Sequence, residues 1–161
     1  MASGQLFTLR PAEKRDRAYL DSYAYAEGMD YLPSLENVTV AANDADEPVG
    51  FIRIAQGANG FAHVNPVVVH ESWRGHAVGR ALVDDAQRTF GELRLVARGA
   101  SKPFYDALGF VCCAWDEVDV SVTEDCDGCP LRDECNPQPM RRTAIPARPK
   151  ASKKPRPKKK R

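Results

Sequence analysis

The sequence has few features that would place it in or across a membrane. No run of about 18 or more apolar residues occurs, so a membrane-spanning helix is not predicted. The first residues, MASGQLFTLRPAEKR, have no apolar stretch before their charges, so no secretion signal is predicted and the cytoplasm is the expected location. Acidic residues are absent from residues 141–161, which hold 11 of the 23 lysines and arginines.

The charge is therefore divided between an acidic body and a basic tail. Residues 1–140 carry 12 basic and 22 acidic side chains, a net charge of −10. This asymmetry favours nucleic acid, the ribosome or another polyanion as a partner of the tail. The tail is rich in proline, lysine and arginine and is predicted to be disordered. A solubilising tail, or one that contacts the chain's own acidic body, is the alternative.

The remaining patterns predict one mixed α/β domain of the α+β type. A chain of 161 residues with 43% hydrophobic content can bury a single core. Periodicity and turn residues predict the order β-α-β-β-β-α-β-α-β, with an antiparallel meander after the first helix. The predicted elements are a strand at 5–10, a helix at 11–27, strands at 37–43, 49–56 and 61–70, a helix at 77–90, a strand at 93–97, a helix at 101–109, and a strand or hairpin at 110–122.

Small residues precede the second predicted helix. Gly75, Ala77 and Gly79 alternate with larger residues in RGHAVGRAL. A helix N-terminus exposes unpaired N–H groups and the positive end of the helix dipole, so a backbone without bulky side chains there can approach a diphosphate. A plain turn in which glycine allows positive φ is the alternative. The loop has neither the Gly-Lys-Ser/Thr ending of a P-loop nor the position of a Rossmann fingerprint.

Two motifs in this context resemble those of the GCN-type N-acetyltransferase (GNAT) superfamily. RGHAVG at residues 74–79 is similar to its acetyl-CoA loop, Gln/Arg-x-x-Gly-x-Gly/Ala, and FYDALGF at residues 104–110 is similar to its second signature, Phe-Tyr-x-x-x-Gly-Phe. The resemblance covers about residues 5–122. Ala77 stands where glycine is usual, and Arg98 stands where the family often has asparagine.

The resemblance implies the GNAT fold, a mixed and mostly antiparallel central sheet flanked by helices, with acetyl-CoA as co-substrate. Pro66 lacks a backbone donor and is expected to interrupt strand pairing. The splayed strand would then offer its backbone to the pantetheine arm, and the loop would bind the diphosphate. The implied coenzyme-binding residues are Val67, Val68, Val69, Arg74, Gly75, His76, Ala77, Val78, Gly79 and Arg80.

Acetyl transfer to an amine needs an acid for the departing thiolate and a base for the amine. Tyr105 stands where many family members place that acid, and a core aromatic is the alternative. Glu27, Asp30 and His63 are candidate bases, because a carboxylate or an imidazole can take the proton of an amine. The tyrosines within residues 19–31 lie where the family usually walls its acceptor site, and packing in the helix core is the alternative for about half of them.

Three of the five cysteines fall within ten residues. Cys126, Cys129 and Cys135 have the spacing C-x2-C-x5-C, and Cys112 or Cys113 could supply a fourth ligand. The stretch CDGCPLRDEC resembles the iron–sulfur ligand runs of WhiB-type regulators and of the endonuclease III and MutY class of glycosylases. A [4Fe–4S] cluster is favoured, with zinc or no metal as alternatives. A metal would stabilise a segment that has little else to fold around.

Together these patterns predict three regions and two possible classes of function. The regions are a GNAT domain at residues 1–122, a Cys-rich metal-binding segment at residues 123–140 and a disordered basic tail at residues 141–161. The favoured function is acetyl-CoA-dependent N-acetyltransfer by direct attack, carried out by a monomer or homodimer on a small amine, a protein amine or an amino-modified nucleotide. The alternative is a nucleic-acid-binding or regulatory protein that senses acyl-CoA and acts through its metal–cysteine module and tail.

Overall fold

The computed structural model describes residues 6–147; residues 1–5 and 148–161, with most of the predicted tail, lie outside the described residues. The strands are β1 (Thr8–Pro11), β2 (Val38–Ala42), β3 (Pro48–Gln56), β4 (Ala62–Val69), β5 (Leu93–Ala97), β6 (Val111–Cys112) and β7 (Gln138–Arg142). The helices are α1 (Arg17–Ala26), α2 (Val78–Phe90), α3 (Lys102–Ala107), α4 (Val120–Thr123) and α5 (Arg132–Cys135). No helix in residues 6–147 is long and apolar enough to cross a membrane.

The strands form one sheet in the order β1-β2-β3-β4-β5-β7-β6, in which only β4 and β5 run parallel. The antiparallel meander β2-β3-β4 is confirmed. Its first turn is closed by Asn43, whose side-chain oxygen accepts hydrogen bonds from the N–H groups of Ala45 (3.0 Å) and Glu47 (2.9 Å). The structure therefore has the mixed, mostly antiparallel sheet of the GNAT fold.

The core lies on both faces of the sheet, because neighbouring residues of a strand point to opposite faces. In β3, Ile52 belongs to the core beneath α2 together with Leu82 and Val83. Phe51, the preceding residue, belongs to the core beneath α1 together with Leu20. The predicted amphipathic character of α2 is confirmed, and both helices are fixed against the strands that end at the site.

The sheet continues beyond the predicted domain boundaries at residues 122 and 140. Strand β7 lies between β5 and β6 and buries Met140 and Arg142. The Arg142 guanidinium donates hydrogen bonds to the carboxylate of Asp84 (2.8 Å), the side-chain oxygen of Gln87 (2.6 Å) and the carbonyl of Leu108 (2.9 Å). These partners compensate the buried charge. The prediction that the tail begins at residue 141 is corrected, because Arg142 belongs to the fold.

The segment predicted as a strand or hairpin at residues 110–122 is a strand only at Val111–Cys112. Asp119 then caps the single turn α4, its carboxylate accepting hydrogen bonds from the N–H (3.0 Å) and the hydroxyl (2.5 Å) of Ser121. Val118 and Val122 are buried while Val120 is exposed. This spacing is helical, so the alternating valines gave a misleading strand pattern.

Candidate active site

Strands β4 and β5 separate after their first paired residues. The pairs joining the two strands are Ala62–Leu93 and His63–Arg94. Beyond them β4 pairs with β3 and β5 pairs with β7, so the sheet opens between the facing edges of β4 and β5. We call this opening between the two unpaired edges the cleft. The carbonyl of Val69 lies on the open edge of β4, where it accepts a hydrogen bond from Nε of Arg74 (3.3 Å). The predicted splay of the sheet is confirmed.

The sequence around Pro66 explains where the strands separate. Proline has no N–H to donate to a neighbouring strand. Opposite this step the β3–β4 register shifts between Ile52 and Ile54. The side chain of Arg53, which lies within the shift, donates a hydrogen bond to the carbonyl of Asn65 (2.9 Å). A side chain thus replaces part of the strand pairing at the closed end of the cleft.

A helix N-terminus without a side-chain cap lies next to the cleft. The chain leaves β4 through a 3-10 turn at Glu71–Trp73 and enters α2 through Gly75 (φ 86°) and Ala77 (φ 63°). Ala77 is the N-cap residue, and its methyl group cannot accept a hydrogen bond from the first N–H groups of the helix. Such N–H groups, together with the helix dipole, attract anions. The loop predicted to bind a diphosphate has the backbone that this role requires.

Glycine is needed at two positions of this loop for different reasons. A Cβ on Gly75 would meet nothing within 4 Å, so its left-handed backbone is the constraint. A Cβ on Gly79 would lie 2.8 Å from Cζ of Phe104, so Gly79 makes room for an aromatic ring of α3. Gly79 therefore joins the loop to the helix that carries Tyr105. Val78 is a buried core residue, so only its backbone is available to a ligand.

The other predicted coenzyme-binding residues occupy different surroundings. The ring of His76 is exposed and packs against Trp73, with 5.3 Å between centroids. Val68 belongs to the core beneath α1, whereas Val67 and Val69 pack against the core beneath α2. The side chains of these valines serve the core, so a ligand in the cleft meets their backbone.

Two arginines hold Glu27 over the cleft. A guanidinium nitrogen of Arg74 lies 3.0 Å from the Glu27 carboxylate, and Arg98 donates a hydrogen bond to the Glu27 carbonyl (2.7 Å). Arg74 also contacts the open edge of β4, so it links that edge to the end of α1. Glu27 can act as a base only after Arg74 releases its carboxylate. Sequence reasoning named Glu27 and Arg74 separately and missed the contact of Arg98, because no local pattern joins residues so far apart.

Tyr105 lies between α3 and the sheet. Its ring makes edge contacts with Phe104 (5.0 Å between centroids) and Phe110 (5.5 Å). Burial raises the pKa of the Tyr105 phenol, and the charge of the nearby Arg98 acts in the opposite direction. A phenol is protonated at neutral pH even without burial, which is the state a general acid needs, and the raised pKa makes this phenol a weaker proton donor. The ring contributes to the core, and its closeness to Arg98 places the residue beside the cleft.

His63 is a structural residue, which contradicts its prediction as a base. The side chain is fully buried; Nδ1 lies 3.0 Å from the carbonyl of Phe61, and Nε2 accepts a hydrogen bond from the N–H of Asp119 (3.0 Å). Burial lowers the pKa of the imidazole, so the ring is neutral with its proton on Nδ1. Neither nitrogen is free to accept a proton from a substrate. His63 instead fixes the start of α4 against β4.

Asp30, the remaining candidate base, lies in an open depression after α1. The lining residues are Tyr25, Ala26, Gly28, Met29, Asp30 and Tyr31. The side chains of Tyr25 and Tyr31 are 72% and 65% exposed. Tyr23 differs, since its hydroxyl donates a hydrogen bond to the carbonyl of Pro48 (2.8 Å) and its ring packs on His70. Two of the predicted acceptor-site tyrosines are thus available to a ligand beside Glu27.

The cysteines do not form the predicted metal site. All five are free thiols. Within residues 6–147 no three His, Cys, Asp or Glu side chains are placed to hold a metal ion. Strand pairing with β7 fixes Cys112, and the N–H of Cys113 donates a hydrogen bond to the carbonyl of Pro139 (3.0 Å), so both predicted ligands are held at the sheet edge. The structure therefore gives no support to a [4Fe–4S] cluster or zinc on Cys112, Cys113, Cys126, Cys129 and Cys135.

The Cys-rich segment is held by the rest of the protein. The Arg132 guanidinium lies over the ring of Trp115 (4.8 Å to the centroid) and donates a hydrogen bond to the carbonyl of Cys126 (3.3 Å). The carbonyl of Cys135 lies 2.6 Å from the position of a Cβ on Gly99. These contacts were not predicted from composition. They hold the segment in place, which is the role that the metal was expected to have.

The fold and the cleft place this protein in the class of GNAT-fold proteins. A family model described as the acetyltransferase (GNAT) domain matches residues 34–112, and this match, with the fold, identifies a GNAT acetyltransferase domain in the chain. Among curated proteins no relative matches the sequence.

Three solved structures illustrate the likeness, each below 25% sequence identity. Rv2747 from Mycobacterium tuberculosis, in complex with CoA, is 15% identical with a TM-score of 0.70, over 86% of this chain and 99% of that one. Ard1 from Thermoplasma volcanium is 21% identical with a TM-score of 0.66, over 88% of this chain and 99% of that one. N-acetylglutamate synthase from Neisseria gonorrhoeae, complexed with coenzyme A and N-acetyl-glutamate, is 14% identical with a TM-score of 0.68, over 84% and 34%.

Proposed function

We propose that this protein is an acetyl-CoA-dependent N-acetyltransferase that acts on a primary amine. The observation that carries the proposal is the cleft between β4 and β5, which opens beside the uncapped N-terminus of α2. The GNAT domain match and the solved likenesses that contain CoA support the same co-substrate.

The residues around the cleft fit coenzyme A. Its diphosphate matches the N–H groups at the start of α2, with the positive side chains of Arg74 and Arg80 beside them. Its pantetheine arm carries amides, which match the open backbone edge at residues 67–69. Arg74 donates a hydrogen bond to the Val69 carbonyl, so the pantetheine arm can bind this carbonyl only after that hydrogen bond breaks.

Acetyl-CoA supplies a thioester whose carbonyl carbon is attacked by a neutral amine. Tyr105 then donates its phenolic proton to the departing thiolate, since a phenol is protonated at neutral pH. Burial raises the pKa of this phenol and opposes the donation, whereas the charge of Arg98 favours it. The N–H groups on the open edge of β4 stabilise the negative charge that develops on the carbonyl oxygen. The products are an N-acetylated amine and the free thiol.

The amine's proton leaves through a carboxylate on the α1 side of the cleft. Glu27 is in place once Arg74 turns from it toward the diphosphate, so coenzyme binding and release of the base are coupled. Asp30 makes no ion pair within the described residues and lies in the neighbouring depression, where it can attract a cationic acceptor. His63 is excluded from this role by its burial.

The test measures CoA release with a panel of primary amines, for the intact chain and for Tyr105→Phe. We expect kcat to fall roughly 10²- to 10⁴-fold in this variant while CoA affinity stays within about twofold. Tyr19→Phe is the matched control, since the Tyr19 hydroxyl contacts the exposed carboxylate of Glu47 (3.4 Å) and has no part in the proposed proton transfer; this variant should change neither value. An unchanged kcat in Tyr105→Phe would remove the tyrosine from the mechanism.

The same experiment separates the transferase from the acyl-CoA sensor. Coenzyme binding without turnover on any amine, with or without DNA or RNA, would favour the regulatory alternative in which the basic tail contacts nucleic acid. Turnover that is independent of nucleic acid would favour the enzyme. The salt dependence of any nucleic-acid binding would show whether the tail's charges carry it.

A further inference from the structure

The lysines of this chain are concentrated at its C-terminal end. Six of the eight lie in residues 148–161, and the other two are Lys14 and Lys102. We propose that lysines of residues 148–161 are acceptors of this enzyme and are acetylated within the same chain. This inference rests on the proposed N-acetyltransferase function, and it identifies the acceptor class as peptidyl lysine flanked by arginine and proline.

The described chain ends beside the helix that carries the proposed acid. Pro146 packs against the end of α3, since a Cβ on Gly109 would lie 2.6 Å from Cγ of Pro146. Phe110, the residue after Gly109, donates its N–H to the carbonyl of Tyr105 (3.0 Å). The tail therefore starts a few residues from Tyr105 rather than on a remote face of the molecule.

The distances that the tail can span match the size of the domain. A residue adds at most about 3.6 Å, so Lys150 lies within roughly 11 Å of Ala147 and Lys160 within about 47 Å. A domain of this length has a radius of gyration of roughly 15 Å. The reach of the last lysines is about three times this radius, which is enough to span the domain without a second chain. Such tethering corresponds to an effective concentration of about millimolar.

The depression after α1 has the chemistry to receive such a segment. Asp30 supplies a carboxylate, and the exposed rings of Tyr25 and Tyr31 offer faces to lysine, arginine and proline side chains. Glu27 connects this depression to the cleft through Arg74 and Arg98. The acidic charge of residues 1–140, −10, also attracts the basic segment.

The proposed step uses only the chemistry of the proposed function. The neutral Nζ of a tail lysine attacks the acetyl carbonyl of acetyl-CoA, the carbon–sulfur bond breaks, and Tyr105 protonates the thiolate. The proton lost by the amine passes through the carboxylate side of the cleft to solvent. Each turnover converts one lysine to an uncharged acetyl-lysine, so the reaction lowers the positive charge of the tail stepwise.

The test incubates the full chain with acetyl-CoA and follows acetylated peptides by mass spectrometry. We expect acetyl groups on the tail lysines, with a first-order rate constant that does not change over a hundredfold range of protein concentration. A variant with all six tail lysines changed to arginine keeps the charge, and it should lose this labelling while releasing CoA normally with a small amine. Tyr31→Ala should slow tail labelling roughly two- to fivefold.

Several results would overturn the inference. Turnover on a free amine with an unlabelled tail would refute the inference and leave the proposed function intact. The same conclusion would follow if the unlabelled tail bound nucleic acid. Equal labelling of the folded chain and of the urea-unfolded chain would show purely chemical acetylation. A rate constant that rises with protein concentration would show transfer between chains. CoA binding with neither turnover nor labelling would refute the proposed function itself.

Discussion

The substitution Arg142→Met tests whether β7 is part of the fold. It removes a buried guanidinium that donates to Asp84, Gln87 and Leu108, and it leaves these acceptors without that donor. Removing one partner of a buried ion pair costs about 3–5 kcal/mol. The Asp84 side chain is 19% exposed, so water can solvate its carboxylate in part, and we expect the free energy of unfolding to fall by about 3 kcal/mol. That is a large part of the roughly 5–15 kcal/mol by which a domain is stable.

Urea and thermal unfolding measure this effect. A loss of about 3 kcal/mol lowers Tm by roughly 6–12 °C for a chain of this size. Arg141→Met is the matched control, because Arg141 pairs with Glu117 at 3.2 Å and both side chains are more than one third exposed. Its loss should cost at most about 1 kcal/mol. Equal midpoints for the two variants would refute the integration of Arg142 into the core.

Two further predictions concern backbone strain and pH. Ala77→Gly should raise the free energy of unfolding by about 1 kcal/mol, because Ala77 has a left-handed backbone (φ 63°) that glycine adopts without strain. Ala81→Gly within α2 is the control and should lower the free energy of unfolding by about 1 kcal/mol. Urea midpoints of the two variants that move in the same direction would contradict this. Because burial lowers the pKa of His63, the unfolded chain binds the proton more readily, so stability should decline as pH falls below about 6.5. His63→Gln should flatten this decline and His70→Gln should not; equal slopes in pH-dependent unfolding would refute the assignment.

Local patterns predicted the parts of the fold whose residues are close in sequence. The meander followed from alternating apolar residues and polar turns, and α2 from its helical spacing of Leu82, Val83 and Ala86. The two glycine-containing motifs located the loop and α3, because a glycine at a helix start or end has a local cause. Pro66 likewise marked the splay of β4, since the missing donor is a property of one residue.

The parts that were missed depend on partners far apart in the chain. Within β7 only Met140 is a conventional core residue, and Arg142 is buried by partners 34 to 58 positions away. A run of arginine and proline carries no sign of these contacts. His63 had the residue type of a base, but its burial depends on Asp119, 56 positions later. The cysteine spacing matched metal ligands, yet the pairing of β6 with β7 keeps Cys112 at the sheet edge.

The account depends on coenzyme A binding in the β4–β5 cleft with its diphosphate at the start of α2. The most direct measurement is an amide NMR titration of the full chain with CoA, beside a matched titration with pantetheine, which lacks the diphosphate. We predict that CoA shifts the amide signals of residues 67–69 and 74–80, and that pantetheine shifts only the first group. Shifts confined to other surfaces, or the same shifts at residues 74–80 with both ligands, would contradict the account.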